Sequence, residues 1–168
     1  LFEVFLEQIK IPVVEDKEKI YAELLPQLES LVIGEPDFIA NLANVAAALK
    51  QSLGFVSWVG FYLLKDNELV LGPFQGKVAC TRIKIGSGVC GTAAANKETV
   101  IVPNVYEFPG HIFCDPDSKS EIVIPLIKDR TVFGVLDLDS SDYNSFNSVD
   151  AMYLQQVAAI ISRIYDGG

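Results

Sequence analysis

The chain has 168 residues, of which 50% are hydrophobic and 21% charged, with a formal net charge of −9. That balance suits a single domain with a full core, residues 1–168 taken together. The acidic excess argues against nucleic-acid phosphates or an anionic membrane as the main partner and fits a small ligand carrying an ammonium group, while no apolar run approaches the roughly 20 residues of a membrane span.

The opening "LFEVFLEQIKIPVVEDKEK" has no initiator Met, no basic start and no small-residue cleavage site. A signal peptide is therefore not expected, and an intracellular, cytoplasmic protein is. "EDKEKIYAELLPQLESLVIGE" places Ile20, Leu24, Leu25, Leu28 and Leu31 near helical spacing, with a kink or break expected at Pro26. A second helix over "PDFIANLANVAAALKQSL" takes Pro36 into its first turn and stops at Gly54. The two helices, within residues 1–53, are expected to pack together and onto a sheet formed by residues 54–168.

The middle of the chain reads as strands. "FVSWVGFYLLK" turns through "DNE" into "LVLGPFQG" as a hairpin. "VACTRIKI" alternates, which puts Cys80, Arg82 and Lys84 on one face of a strand. "GSGVCGTAAANKE" reads as a glycine loop entering a short helix, and "TVIVPN" as a brief strand. Residues 104–119, broken by Pro109, Gly110 and Pro116, read as a long loop of the kind that is usually functional or disordered. "EIVIPLIKD" and "TVFGVLDLD" form a second hairpin across Asp129 and Arg130, and a last helix begins with Ser148 as N-cap. The order predicts an α+β fold, a central antiparallel β-sheet flanked by helices.

Candidate chemistry gathers on these strands. Asp137 and Asp139 share a strand face with Val135, while Leu136 and Leu138 face the other way. An isolated D-x-D most often faces water. Asp is poorly suited to strands, however, and Glu121 starts the adjacent one, so three acids can converge. They tolerate one another if one stays protonated or a cation binds, and a ligand ammonium suits better than calcium or magnesium, whose loop grammar is missing. Trp58 and Tyr62 share a strand face. Most such aromatics are core, but a pair like this can also wall a pocket for a small apolar group.

The three cysteines, Cys80, Cys90 and Cys114, form no CxxC pair, and His111 is the only histidine. A Cys₃His zinc site lacks the paired spacing such sites show, and no nucleophile elbow accompanies a triad built on His111. Gly86, Gly88 and Gly91 make a G-x-G-x-x-G without the lysine or β-α-β context of a phosphate loop, although a helix N-terminus there could hold a carboxylate. Each thiol alone reads as core filler. Their confinement to 35 residues around the inferred pocket makes a shared redox role worth weighing. Cys114 sits among Asp115, Asp117 and Glu121, which discourage a thiolate. Its reaction would then need acids for another purpose.

"LVLGPFQGKVACTRIKIGSGVCGTAA", "PGHIFCDPDSKSEIVIPL" and "GVLDLDS" together resemble the free methionine-(R)-sulfoxide reductases, a GAF-domain family, from about Val56 to the final helix. One difference is Phe113, where a small residue such as Ala is expected; it could narrow the pocket or alter access to Cys114. The resemblance implies a GAF fold, often dimeric, acting on the free amino acid with no metal or organic cofactor. It implies Cys114 as nucleophile, Cys80 and Cys90 as the recycling pair, and Trp58, Tyr62, Glu121, Asp137 and Asp139 around the substrate. Thioredoxin would be the reductant. A neutral carboxyl would protonate the sulfoxide oxygen, and the Cys114 sulfenic acid would condense with Cys80 or Cys90. The rival readings are a GAF module that binds a ligand without catalysis and a redox sensor with no dedicated substrate.

Overall fold

The computed structural model describes residues 8–12 and 16–167. Residues 1–7, 13–15 and 168, which include most of the opening stretch tested for a signal peptide and the first residue of the expected first helix, lie outside the described residues.

Helix α1 (Lys17–Val32) starts at an Asp16 N-cap and runs through Pro26 as one helix, so of the kink or break expected there the break does not occur. Helix α2 (Phe38–Ser52) is capped by Asp37, whose side chain accepts from the Ala40 N–H at 2.8 Å. Pro36 therefore precedes the cap instead of filling the first turn, because the Asp side chain supplies the capping acceptor that proline lacks. Strands β1 (Trp58–Lys65) and β2 (Glu68–Gln75) form the first hairpin, with Asp66 and Asn67 both at positive φ as its tight turn requires. Their register shifts between Gly60 and Tyr62, opposite Gly72 and Pro73. A bulge is where a strand can hold a proline, which has no N–H for the ladder.

Strand β3 is only Arg82–Lys84. Cys80 lies outside the strand and so does not continue its alternation with Arg82 and Lys84, because the chain from residue 76 to 81 is irregular backbone. The Tyr62 hydroxyl donates to the Cys80 carbonyl at 2.9 Å and holds it there. Helix α3 (Gly88–Asn96), strand β4 (Val100–Val102) and a 3-10 turn (Val105–Glu107) lead into the irregular 108–119 segment. Strands β5 (Ser120–Lys128) and β6 (Thr131–Ser140) make the second hairpin across Asp129 and Arg130, again at positive φ. Helix α4 (Ser148–Ile164) closes the described chain. Its N-cap is Asn147, not Ser148, since Asn147 accepts from Val149 N–H while the Asp150 carboxylate accepts from Asn147 N–H, a reciprocal capping box.

The six strands form one antiparallel sheet in the order β3-β2-β1-β6-β5-β4. Period-two alternation divides its side chains between two layers. Val59 and Phe61 of β1, Ile122, Ile124 and Leu126 of β5, and Leu136 and Leu138 of β6 meet Tyr21, Leu28, Leu49, Leu154 and Ile161 from α1, α2 and α4. The opposite face carries Trp58, Tyr62, Val123 and Val135 under α3 and the loops. Among the described residues no helix is long and apolar enough to cross a membrane.

Candidate active site

Strand register builds the site on the second face. Trp58 lies opposite Asp139, and Asp139 opposite Glu121, so β1, β6 and β5 set these three side chains in one row. In the next row Gly60 faces Asp137, and Asp137 faces Val123. Gly60 is required there: a Cβ would sit 2.5 Å from the Trp58 ring and from the Phe74 Cβ. The indole lies in that gap, stacked on Phe74 at 5.4 Å and on Tyr62 at 6.1 Å, and donates Nε1–H to the Lys77 carbonyl at 3.0 Å. Trp58 and Tyr62 thus do two jobs. Their rings form a wall, and their polar tips pin the backbone from Lys77 to Cys80.

Helix α3 closes the cavity from above. A Cβ at Gly91 would come within 2.3 Å of the Lys84 carbonyl, so the glycine allows the helix to approach the preceding loop. Its N-cap residue Ser87 makes no side-chain cap bond, and Ser87, Gly88 and Val89 line the cavity. Free N–H groups of a first turn attract an anion. Cys90, one residue on, is buried, outside any disulfide, and hydrogen-bonds Asp137.

Cys80 and Cys114 are joined by a disulfide. Of the two recycling cysteines open to Cys114 on sequence, Cys80 is the bonded one and Cys90 is free. The bond joins the backbone from residue 76 to 81 to the 108–119 segment. Lys77 strengthens the same closure, since its Nζ bonds Asp117 and lies 3.7 Å from Asp115.

Trp58, Tyr62, Cys90, Cys114, Glu121, Asp137 and Asp139 line this one cavity. Of the predicted site residues only Cys80 is outside its wall, although its neighbours Val78 and Ala79 are part of it. Burial raises the Glu121 and Asp137 carboxyls well above the ordinary range, and the Asp139 charge adds to both. Burial pushes Asp139 up to about 6, opposed by the Ser118 hydroxyl that donates to its Oδ1. Burial, then Asp137 and Glu121, raise the Cys90 thiol. The site therefore favours the protonated forms of Glu121, Asp137 and the Cys90 thiol, beside one carboxyl, Asp139, that ionises near neutrality.

Among the described residues, two buried polar atoms of this site have no hydrogen-bond partner, Asp137 Oδ1 and His111 Nδ1. His111, Ser118 and Lys77 were missed by sequence reasoning. In the sequence His111 offers only a zinc-ligand or triad reading, and nothing local marks Ser118 or Lys77, whose partners lie 21 and 40 residues away. Phe113, expected to narrow the pocket or alter access, is instead 53% exposed with its ring on His111 and Tyr106, and it does not line the cavity. For a cation, Cys90, Glu121 and Asp137 each offer one ligand atom within 4.8 Å of the others.

The family model for the GAF domain matches residues 39–166. The chain belongs to the GAF-domain family. This GAF domain is 57% identical over 146 residues to "GAF domain-containing protein A" of Dictyostelium discoideum, covering 86% of this chain and 92% of that protein. It is 46% identical over 149 residues to the "Free methionine-R-sulfoxide reductase" of Escherichia coli, covering 89% and 90%. Among solved structures, it is similar to the free methionine-R-sulfoxide reductase of Neisseria meningitidis in complex with its substrate. That similarity has a TM-score of 0.90 and 48% identity, covering 95% of this chain and 96% of the other.

Proposed function

We infer that this GAF domain is a free methionine-(R)-sulfoxide reductase. The observation that carries the reading is the juxtaposition of the Cys80–Cys114 disulfide with a cavity floored by three carboxyls. A sulfoxide oxygen leaves only once protonated, and a neutral Glu121 or Asp137 can supply that proton. The Cys114 sulfur bonds the sulfur of the protonated substrate; the hydroxyl then passes to the Cys114 sulfur as the S–O and the new S–S bonds to the substrate break, which leaves methionine and a sulfenic acid on Cys114. The thiol proton restores the carboxyl. Cys80 then attacks the sulfenic sulfur, water leaves, and the disulfide forms. The dithiol of thioredoxin, our proposed reductant, exchanges with it and restores both thiols. A reducing cytoplasm is the matching compartment, and a homodimer the matching assembly.

The other parts of the pocket suit the free amino acid. Asp139, ionised above about pH 6, faces the ammonium, and the rings of Trp58 and Tyr62 take the methyl and thioether. The first turn of α3 offers N–H groups to the carboxylate. A peptide-bound residue brings no ammonium, which leaves a buried acceptor unpaired at a cost of about 1–3 kcal/mol.

The test is a single turnover without reductant, using fully reduced protein and each epimer of free L-methionine sulfoxide. About one methionine formed and two thiols lost per chain, from the R epimer alone, is the expected result. If neither epimer consumes thiols, the pocket belongs to a ligand-binding module and not to a reductase.

A further inference from the structure

His111 is 6% exposed at its side chain and reaches Glu121 Oε2 with Nε2 at 3.1 Å. Its Nδ1 is buried, unpartnered and part of the cavity wall. The Phe113 ring stands edge-on against the imidazole, 4.6 Å between centroids and 76° between planes, which fixes its orientation. Burial lowers the histidine's proton affinity and raises that of Glu121. Both shifts favour the neutral forms, and one hydrogen bond joins the two side chains. Asp137, the other carboxyl raised by burial, has no imidazole beside it; it hydrogen-bonds Glu121 and Cys90 and keeps one oxygen, Oδ1, unpaired.

We propose that His111 is a positioning residue that makes Glu121, not Asp137, the proton donor to the sulfoxide oxygen. The imidazole carries its proton on Nε2 and donates it to Glu121 Oε2. The acidic proton is thereby left on Oε1. When that proton passes to the sulfoxide oxygen as the S–O bond breaks, Glu121 becomes a buried carboxylate. The Nε2–H bond, weak to the neutral acid, becomes charge-assisted to the anion and strengthens as the reaction proceeds. The thiol proton released from Cys114 then returns to Oε1, and the imidazole gains and loses no proton. Nδ1 remains a bare acceptor facing the cavity, where an ammonium N–H of the substrate can reach it. This rests on the reductase reading above.

Isosteric substitution separates the two nitrogens, since an Asn amide reaches the place of Nδ1 and a Gln amide the place of Nε2. Reduced wild-type, His111→Asn and His111→Gln proteins are mixed with free methionine-(R)-sulfoxide over a range of concentrations, and methionine formation is timed. His111→Asn is expected to lower the maximal rate about tenfold or more at nearly unchanged half-saturation, the signature of an interaction gained in the transition state. His111→Gln recovers most of that rate. Added to Glu121→Gln, neither change lowers the residual rate further. Equal losses in both variants, or a loss confined to half-saturation, overturn the proposal.

Because His111 is the only histidine, the imidazole ¹⁵N spectrum of the reduced wild-type protein reports the tautomer without assignment and without any variant having to fold. A proton on Nε2 supports the proposal, and a proton on Nδ1 overturns it. Failure of the reductase reading looks different: the wild-type protein then makes no methionine from either epimer.

Discussion

Asp139 and Glu121 stand directly opposite each other on β6 and β5, an arrangement that two like charges would make costly. The protein meets it by protonation, and this has a signed consequence. Asp139 holds its proton up to about pH 6 in the folded chain, against an ordinary value of 3.8, so the folded state binds more protons than the unfolded one between these values. Stability therefore falls as pH rises across that window. The contribution of this carboxyl is complete below about 3.8 and lost on passing about 6. Binding of an ammonium ligand runs the other way, because it needs the ionised form. Affinity for methionine should rise from pH 5 to pH 7 by calorimetry, and Asp139→Asn should flatten both trends. Cys90 gives a second expectation at this scale. Burial and the neighbouring carboxyls raise its proton affinity, which disfavours the thiolate that attack needs. Cys90→Ala should lose the same two thiols per methionine as the parent, at a stability cost of about 1 kcal/mol for the small void.

At the scale of elements, the site depends on two irregular segments clasped together. The backbone from Lys77 to Cys80 hangs from Trp58 Nε1 and the Tyr62 hydroxyl, and the segment around Cys114 reaches it through the disulfide and through Lys77. The Asp117 hydrogen bond, followed by the charges of Asp115 and Asp117, holds the Lys77 ammonium above its ordinary proton affinity. The pair is exposed, so its strength is modest and sensitive to salt. Its effect should fall on loop approach, not on chemistry inside the cavity. Lys77→Met is expected to slow loss of the second thiol severalfold in a stopped-flow single turnover while methionine appears at the parental rate. High salt should have the same effect on the parent protein. If methionine formation slows equally, Lys77 acts on the first step and the clasp does not govern recycling.

The whole molecule separates stability from chemistry across the sheet. On the helical side, fully buried Asp150 accepts from Lys17 Nζ at 2.7 Å, from the Tyr21 hydroxyl at 2.9 Å and from Asn147 N–H at 2.8 Å. One carboxylate thereby ties α1, which precedes the matched GAF segment, to the start of α4, with Lys17 also over the Phe55 ring at 4.1 Å. Asp150→Ala leaves a buried phenol and an N–H unpaired and a lysine that can still turn to water. A loss of about 2–3 kcal/mol follows. For a chain of this size that lowers the melting temperature by about 4–10 °C. Single-turnover stoichiometry at 25 °C should be unchanged, because the carboxyl cluster sits on the other face of the sheet.

Much of this was legible in the chain alone. Period-two alternation assigned Leu136 and Leu138 to the core and Asp137 and Asp139 to the opposite face, and Asp-Asn and Asp-Arg pairs marked the hairpin turns, because these are properties of neighbouring residues. Where a cap or a strand end was misplaced, at Ser148, Pro36 and Cys80, a side chain supplied the deciding bond: Asn147, Asp37 and Tyr62. The last of these is 18 residues from its target, beyond what a local pattern can carry. The choice of Cys80 over Cys90 as the partner of Cys114, and the seating of His111 on Glu121, belong to tertiary structure alone. Both depend on how an irregular segment folds back over the sheet, and irregular backbone has no periodicity from which direction can be read.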